Sequence, residues 1–176
     1  HGSSASRMLR AQSAEIDVCL TVTHVDSLVL ARSAFGHSIN YRAAMVFGRA
    51  SLITDPVQKK CAAYHFVDRF FPGRSQAIRP PTAKEMRATS FLRMRIDQAS
   101  SKIRNLDVID EEADYALPVW AGLVPVRTIV DSMTPCHRLD ADTRPGPDLM
   151  DYRSGSSLDS IVSKAHRRTF PQPKMP

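Results

Sequence analysis

Alternating apolar and polar residues mark the strands that this chain is predicted to form. Residues 16–25 alternate with a period of two, which predicts a strand with one buried face. Residues 28–35 read as a second strand, and residues 24–27 are expected to turn the chain between them into a hairpin. Further strands are predicted over residues 43–54, 91–99 and 117–126. Because little chain separates the first three strands, we expect antiparallel pairing and a mainly β, α+β fold.

Helical signals lie between and beside these strands. Asp55 is expected to cap a helix that begins at Pro56 and continues over residues 57–71. Its apolar residues recur with helical spacing and should pack on the sheet; they are Ala63, Phe66, Val67 and Phe70. Thr82 and Glu85 form a capping box that starts a second, short helix near Ala83. A further short helix is predicted over residues 3–14.

Composition limits the class of protein. With 176 residues, 43% of them hydrophobic and 24% charged, the chain has the size and balance of a globular domain. The net charge of +6 is spread over scattered Lys and Arg, which does not favour nucleic acid. Three cysteines without a CxxC pair indicate a reducing compartment, so we expect a cytoplasmic protein. No apolar run approaches the roughly 20 residues of a membrane span.

The C-terminal quarter differs in character from the rest. Residues 131–176 contain half of the twelve prolines and little periodic apolar signal. We therefore expect one domain over residues 1–130 and a largely disordered tail over residues 131–176. Residues 158–168 could form one helical piece within that tail.

Two segments have the chemistry to hold an anion. Ser3, Ser6 and Arg7 would place hydroxyls, backbone N–H groups and a guanidinium at a helix start, which suits a phosphate. Asn40, Tyr41 and Arg42 precede a strand, where arginine can clamp a phosphate and tyrosine offers an apolar face with a hydroxyl. The simpler alternative is that the serines only cap a helix and the arginines are solvated.

Catalytic and metal-binding motifs are missing from the sequence. It contains no GxGxxG, Walker, HExxH or GxSxG motif and no zinc-finger spacing. The acidic residues between 107 and 115 lack the spacing of a calcium loop and are interpreted as a solvated loop. No general acid or base and no metal ligand can be assigned, which suggests that a cofactor carries any chemistry.

Four segments together resemble the flavin-binding branch of the pyridoxamine 5′-phosphate oxidase-like family, which includes the 5-nitroimidazole reductases. They are residues 1–10 (HGSSASRMLR), 19–35, 37–48 (HSINYRAAMVFG) and 117–122 (LPVWAG). The resemblance covers about residues 1–126, in the same order and with compatible spacing. The SxNYR stretch and PVWAG are its most specific parts.

The resemblance implies a split β-barrel of antiparallel strands with flanking helices and FMN at a homodimer interface. In such proteins one segment holds the flavin phosphate, and it maps onto His1, Ser3, Ser6 and Arg7. A second segment contacts the phosphate and the isoalloxazine, and it maps onto Asn40, Tyr41 and Arg42. Trp120 is a candidate to line the ring or the dimer contact. Relatives usually begin with about three more strands, so the barrel is expected to be incomplete at the N-terminus.

The function implied is an FMN-dependent oxidoreductase of unknown substrate, with a small-molecule electron donor and acceptor. One alternative is a non-catalytic flavin- or heme-binding protein on the same barrel. Another is a basic nucleic-acid-binding β-domain, which the lack of aromatic residues beside Arg93 and Arg95 disfavours.

Overall fold

The computed structural model describes residues 1–6, 9 and 15–170. The chain divides into two units. Unit 1 comprises His1–Ala11, Leu52–Leu92 and Thr128–Pro176, and unit 2 comprises Gln12–Ser51 and Arg93–Arg127. In chain order the strands are β1 (Gly2–Ser3), β2 (Ile16–Leu30), β3 (Ser38–Leu52), β4 (Thr89–Ser90), β5 (Leu92–Arg104) and β6 (Gly122–Pro125). The helices are α1 (Pro56–Asp68), α2 (Arg74–Ala77), α3 (Ala83–Ala88) and α4 (Leu158–Thr169), with 3₁₀ turns at Glu112–Ala116 and Pro147–Leu149.

Unit 2 is built on a four-stranded sheet with the strand order β5-β3-β2-β6. β2 pairs antiparallel with β3, as the short connection between them predicted, and it also pairs antiparallel with β6. Its core includes Val29, Ala31 and Ala50, all nearly inaccessible to solvent. β6 is short and lies at the sheet edge, which agrees with the effect expected of its flanking prolines.

The predicted hairpin within residues 16–35 is wrong. β2 runs unbroken from Ile16 to Leu30, and its register with β3 shifts between Val25 and Ser27. Residues 24–27 lack the Gly or Pro that a tight turn favours, so the extra residue, Asp26, is accommodated as a β-bulge. The chain reverses instead over residues 31–37, which include Gly36.

The predicted bounds of two other strands also change. β3 begins at Ser38, so the polar residues 38–42 lie inside a strand and not in a loop before it. β5 extends to Arg104, so residues 100–104 continue the strand predicted over residues 91–99 and do not fray into a loop. Both extensions carry polar residues, which a half-exposed strand tolerates because only one face has to be buried.

Unit 1 confirms the predicted helix starts. The Asp55 carboxylate accepts a hydrogen bond from the Gln58 N–H at 2.7 Å, and Pro56 is the first residue of α1. Thr82 and Glu85 make the reciprocal bonds of a capping box at the start of α3. The predicted burial of the apolar face of α1 is wrong, since no residue of that helix is buried and Phe66 is 50% exposed.

Part of residues 131–170 packs within unit 1, although the composition of this segment predicts a disordered tail. α4 begins at a Ser157 cap and buries Ile161 and Ala165, which are one helical turn apart. The Thr169 hydroxyl donates to the Asp68 carbonyl at 2.9 Å. A short apolar stripe on α4 therefore suffices to dock this segment within unit 1. The domain boundary near residue 130 stays a prediction.

Within residues 1–6, 9 and 15–170, no helix combines the length and the apolar character that crossing a bilayer requires.

Candidate functional site

Asn40 lies at the centre of a buried hydrogen-bond network in unit 2. Only 1% of the residue is exposed. Its amide nitrogen donates to the Ser27 hydroxyl at 3.0 Å and to the Leu106 carbonyl at 2.8 Å. Its amide oxygen accepts from the Arg104 guanidinium at 2.8 Å and from the Leu106 N–H at 3.1 Å. Both donors and both lone pairs are therefore in use, so the side chain joins β2, β3 and the residues after β5.

Arg42 forms a bidentate ion pair with the bulge residue Asp26. Its Nε lies 3.0 and 3.1 Å from the two carboxylate oxygens, and one terminal nitrogen lies 2.8 Å from Oδ1. The hydrogen bond from Arg42 lowers the pKa of Asp26 below its usual value, so the carboxylate is ionised at neutral pH. The bulge thus places a negative charge beside Arg42, the residue predicted to bind a phosphate. A phosphate at Arg42 would have to share the guanidinium with Asp26.

Tyr41 lies between these two residues and opposite Val25 of β2. Successive side chains of a strand point to opposite faces of the sheet. Asn40 and Arg42 therefore share one face and Tyr41 occupies the other, so the three predicted contacts do not converge from a single face. Tyr41 is half-buried.

Trp120 precedes β6 and is not part of the strand predicted over residues 117–126. It is 65% exposed, and its ring lies beside Gly122, where a Cβ would come within 2.9 Å of it. A glycine at this position lets the indole fold against the backbone. The ring remains available as a contact surface.

The other predicted residues fall in unit 1. The His1 ring makes an edge contact with Phe66 at 4.4 Å and stacks on Phe91 at 5.5 Å, measured between ring centroids. Phe91 is 9% exposed, so His1 covers an apolar cluster. Its ring is positioned by packing on these two aromatic side chains.

Ser3 and Ser6 form a tight turn after β1. Ser3 lies in β1 and pairs with Thr89, so the helix predicted to include it is wrong at this residue. The Ser3 hydroxyl accepts from the Ala5 N–H at 3.2 Å, and the Ser3 carbonyl accepts from the Ser6 N–H at 2.9 Å. The predicted phosphate ligand Arg7, with most of the helix predicted over residues 3–14, lies outside the described residues.

A buried ion pair in unit 2 was not predicted. The Asp110 carboxylate, whose side chain is fully buried, accepts from the Arg32 backbone N–H and from its guanidinium at 3.1 Å. The Arg32 guanidinium also lies 5.1 Å from the centre of the Tyr115 ring. In the part of the chain that the structure describes, the buried Nε of Arg32 has no hydrogen-bond partner. A buried N–H group without a partner favours the binding of a hydrogen-bond acceptor close to it.

The sequence does not distinguish Asp110 from the other acidic residues between 107 and 115, because all of them lie in the same predicted solvated loop. The contact joins residues 78 positions apart, which no local pattern can predict. Among the described residues, no group of three or more His, Cys, Asp or Glu side chains could hold a metal ion.

The antiparallel sheets and the helices of the chain give an α+β fold. Comparisons with known proteins agree with this class. The family model described as pyridoxamine 5′-phosphate oxidase matches residues 1–103. The chain therefore belongs to the pyridoxamine 5′-phosphate oxidase family, and the predicted fold class is confirmed.

Two solved structures are similar over most of the chain. The flavocytochrome Anf3 from Azotobacter vinelandii is 41% identical, with a TM-score of 0.78, and the match covers 88% of this chain and 72% of that one. The FAD and heme binding protein from Mycobacterium smegmatis is 31% identical, with a TM-score of 0.80, and the match covers 89% and 76% of the two chains. No curated protein sequence matches the chain.

Proposed function

We propose that this protein binds a flavin. The observation that carries the proposal is its similarity, at 41% and 31% identity, to two solved proteins named for a flavin. Family resemblance favours FMN, whereas one of these proteins is named for FAD. Mass spectrometry of the flavin released by acid from the purified protein distinguishes the two cofactors by their mass.

The residues proposed to hold the flavin are those that the family resemblance indicates. They are His1, Ser3, Ser6, Arg7, Asn40, Tyr41, Arg42 and Trp120. For Asn40 we propose an indirect role, in positioning β3, because protein groups take all four hydrogen bonds that its amide can make. The unpartnered Nε of Arg32 fits an anionic or carbonyl acceptor and adds a residue to the set.

Arg42→Ala is expected to weaken flavin binding about tenfold, which corresponds to about 1.4 kcal/mol. This estimate lies near the lower end for a charge-assisted bond because Asp26 already neutralises part of the guanidinium charge. Fluorescence titration of the flavin-free protein measures the affinity. Arg49→Ala is the matched control, since Arg49 is also an ion-paired arginine of β3. Equal affinities of the two variants would exclude Arg42 from the site.

We further propose that the bound flavin makes the protein an oxidoreductase, with a small-molecule electron donor and acceptor. A flavin supplies hydride and electron transfer when it is bound, and the protein supplies orientation and electrostatics. The second candidate function is flavin and heme binding without turnover, which the name of the Mycobacterium smegmatis protein supports. Reduction by a nicotinamide cofactor followed by multiple turnovers with an acceptor supports the enzyme. Reduction without turnover supports the binding protein.

We propose that the protein is a cytoplasmic homodimer. Leu20 and Val22 of β2 are 56% and 48% exposed, and both point to the same face of the sheet. An exposed apolar strand face of this kind favours association with a second copy. The expected mass in sedimentation velocity is that of two chains, and Leu20→Glu is expected to give a monomer, whereas Thr21→Glu on the opposite face should not.

The three free, exposed cysteines support a reducing location.

A further inference from the structure

A cationic groove lies in unit 1, outside the residues that the family model matches. Its volume is about 420 Å³. The charged and polar side chains that line it are Asp151, Arg153, Ser156, Lys164 and Arg168. Lys164 and Arg168 are one turn apart on α4, so both present their charges on the same side of that helix.

A carboxylate already lies where two of these cations converge. Asp151 accepts from the Lys164 ammonium at 2.5 Å and from the Arg168 guanidinium at 3.1 Å. The hydrogen bond from Lys164, with the charges of Arg168 and Arg153, lowers the pKa of Asp151. Asp151 is therefore ionised at neutral pH, and its oxygens show that the geometry of the groove accepts an oxyanion.

Positive charge in the groove exceeds negative charge. The third cation, Arg153, is held by a bond from its Nε to the Met150 carbonyl at 3.1 Å. That bond leaves the two terminal nitrogens of Arg153 without a hydrogen-bond partner among the described residues. With three cations and one carboxylate, the lining has an excess of two positive charges, and a concave surface concentrates the resulting field.

A second groove, of about 300 Å³, adjoins the first. It shares Asp151, Ser156 and Lys164 with the first groove and adds the hydroxyls of Ser157 and Ser160. These two serines lie at the first turn of α4, where Ser157 is the N-cap. An elongated anion would therefore contact the three cations with one charged group and the hydroxyls of Ser157 and Ser160 with the next.

We propose that this double groove binds a diphosphate group. Two linked phosphoryl groups match both the excess charge and the two adjoining lobes. Binding requires Arg168 and Lys164 to exchange the Asp151 carboxylate for a phosphoryl oxygen. Asp151 therefore acts as an internal competitor that sets the affinity of the groove.

Isothermal titration of the purified protein with inorganic pyrophosphate and with ADP, at low ionic strength, tests the proposal. Arg168→Ala is expected to weaken binding of both probes about tenfold, since it removes a charge-assisted contact. Arg167→Ala is the matched control, because it removes the same charge from the same helix without lining the groove. We expect that variant to change binding by no more than about twofold, because an exposed charge outside the groove is screened.

Asp151→Asn is expected to change the affinity for pyrophosphate in the direction opposite to Arg168→Ala. Removing the competing carboxylate is expected to tighten pyrophosphate binding severalfold, a gain that partial unfolding would not produce. Tighter binding of ADP than of pyrophosphate identifies the nucleotide as the source of the diphosphate, whereas equal binding identifies the diphosphate group alone. Absence of binding by both probes, or equal weakening in Arg168→Ala and Arg167→Ala, would overturn the proposal. The flavin content is expected to be unchanged in all three variants.

Discussion

Replacing Asn40 with alanine is expected to lower the free energy of unfolding by about 3 kcal/mol, because several part-buried groups lose their partners at once. The Leu106 N–H and carbonyl and the Arg104 guanidinium all bond to the Asn40 side chain. Alanine offers none of these bonds and leaves too little space for water to replace all of them. Urea denaturation followed by circular dichroism measures the change.

Asn105→Ala is the control for this experiment. Asn105 is exposed and lies between Arg104 and Leu106 in the sequence, but the described structure gives its side chain no hydrogen bond. Its replacement is expected to change stability by less than about 0.5 kcal/mol. A loss of similar size in both variants would show that the Asn40 network contributes little to stability. Loss of flavin at unchanged stability in Asn40→Ala would instead return Asn40 to the set of direct cofactor contacts.

The predictable parts of the fold are those that depend on a few neighbouring residues. Asp55 and Pro56 start α1, and Thr82 and Glu85 start α3, as expected, because a cap is satisfied within one turn of the helix. The edge position of β6 also follows from local chemistry, since proline cannot donate to a sheet. The family resemblance also depends on local sequence, since it rests on short segments such as residues 37–48.

The parts that could not be predicted depend on partners far along the chain. Asp26 looks like a turn residue, but β2 and β3 pair on both sides of it and convert the turn into a bulge. That bulge brings Asp26 to Arg42 and so changes a solvated arginine into an ion-paired one. Asp110 likewise becomes a buried partner of Arg32 only because the loop after β5 returns to the start of the β2–β3 turn.

The candidate site likewise combines features that depend on neighbouring residues with features that depend on partners far along the chain. Residue type indicated that Asn40 and Arg42 contact an anionic ligand, and this stays a prediction. Sequence could not tell whether their partners are protein groups or a cofactor, because both offer oxygen acceptors of the same kind. The structure gives Asn40 four protein partners, which assigns it to support of the strand, whereas Tyr41 and Trp120 keep accessible ring surface.

Gly48→Ala is expected to destabilise the protein by about 3 kcal/mol or to prevent folding, because β5 crosses β3 too closely for a side chain. A Cβ at Gly48 would lie 1.9 Å from the Arg95 carbonyl oxygen and 3.2 Å from the Ile96 Cα. Both are backbone atoms, so relief requires displacement of a whole strand and not rotation of a side chain. Thermal denaturation measures the effect.

Gly73→Ala separates this steric effect from backbone strain. Gly73 has a φ of +88°, and no atom lies within 4 Å of the position that its Cβ would occupy. Its replacement is expected to cost about 1 kcal/mol, since only the left-handed conformation is penalised. Gly48 does not have a positive φ, so its requirement for glycine comes from the approach of β5 alone. A smaller loss for Gly48→Ala than for Gly73→Ala would show that β5 can move away from β3 at little cost.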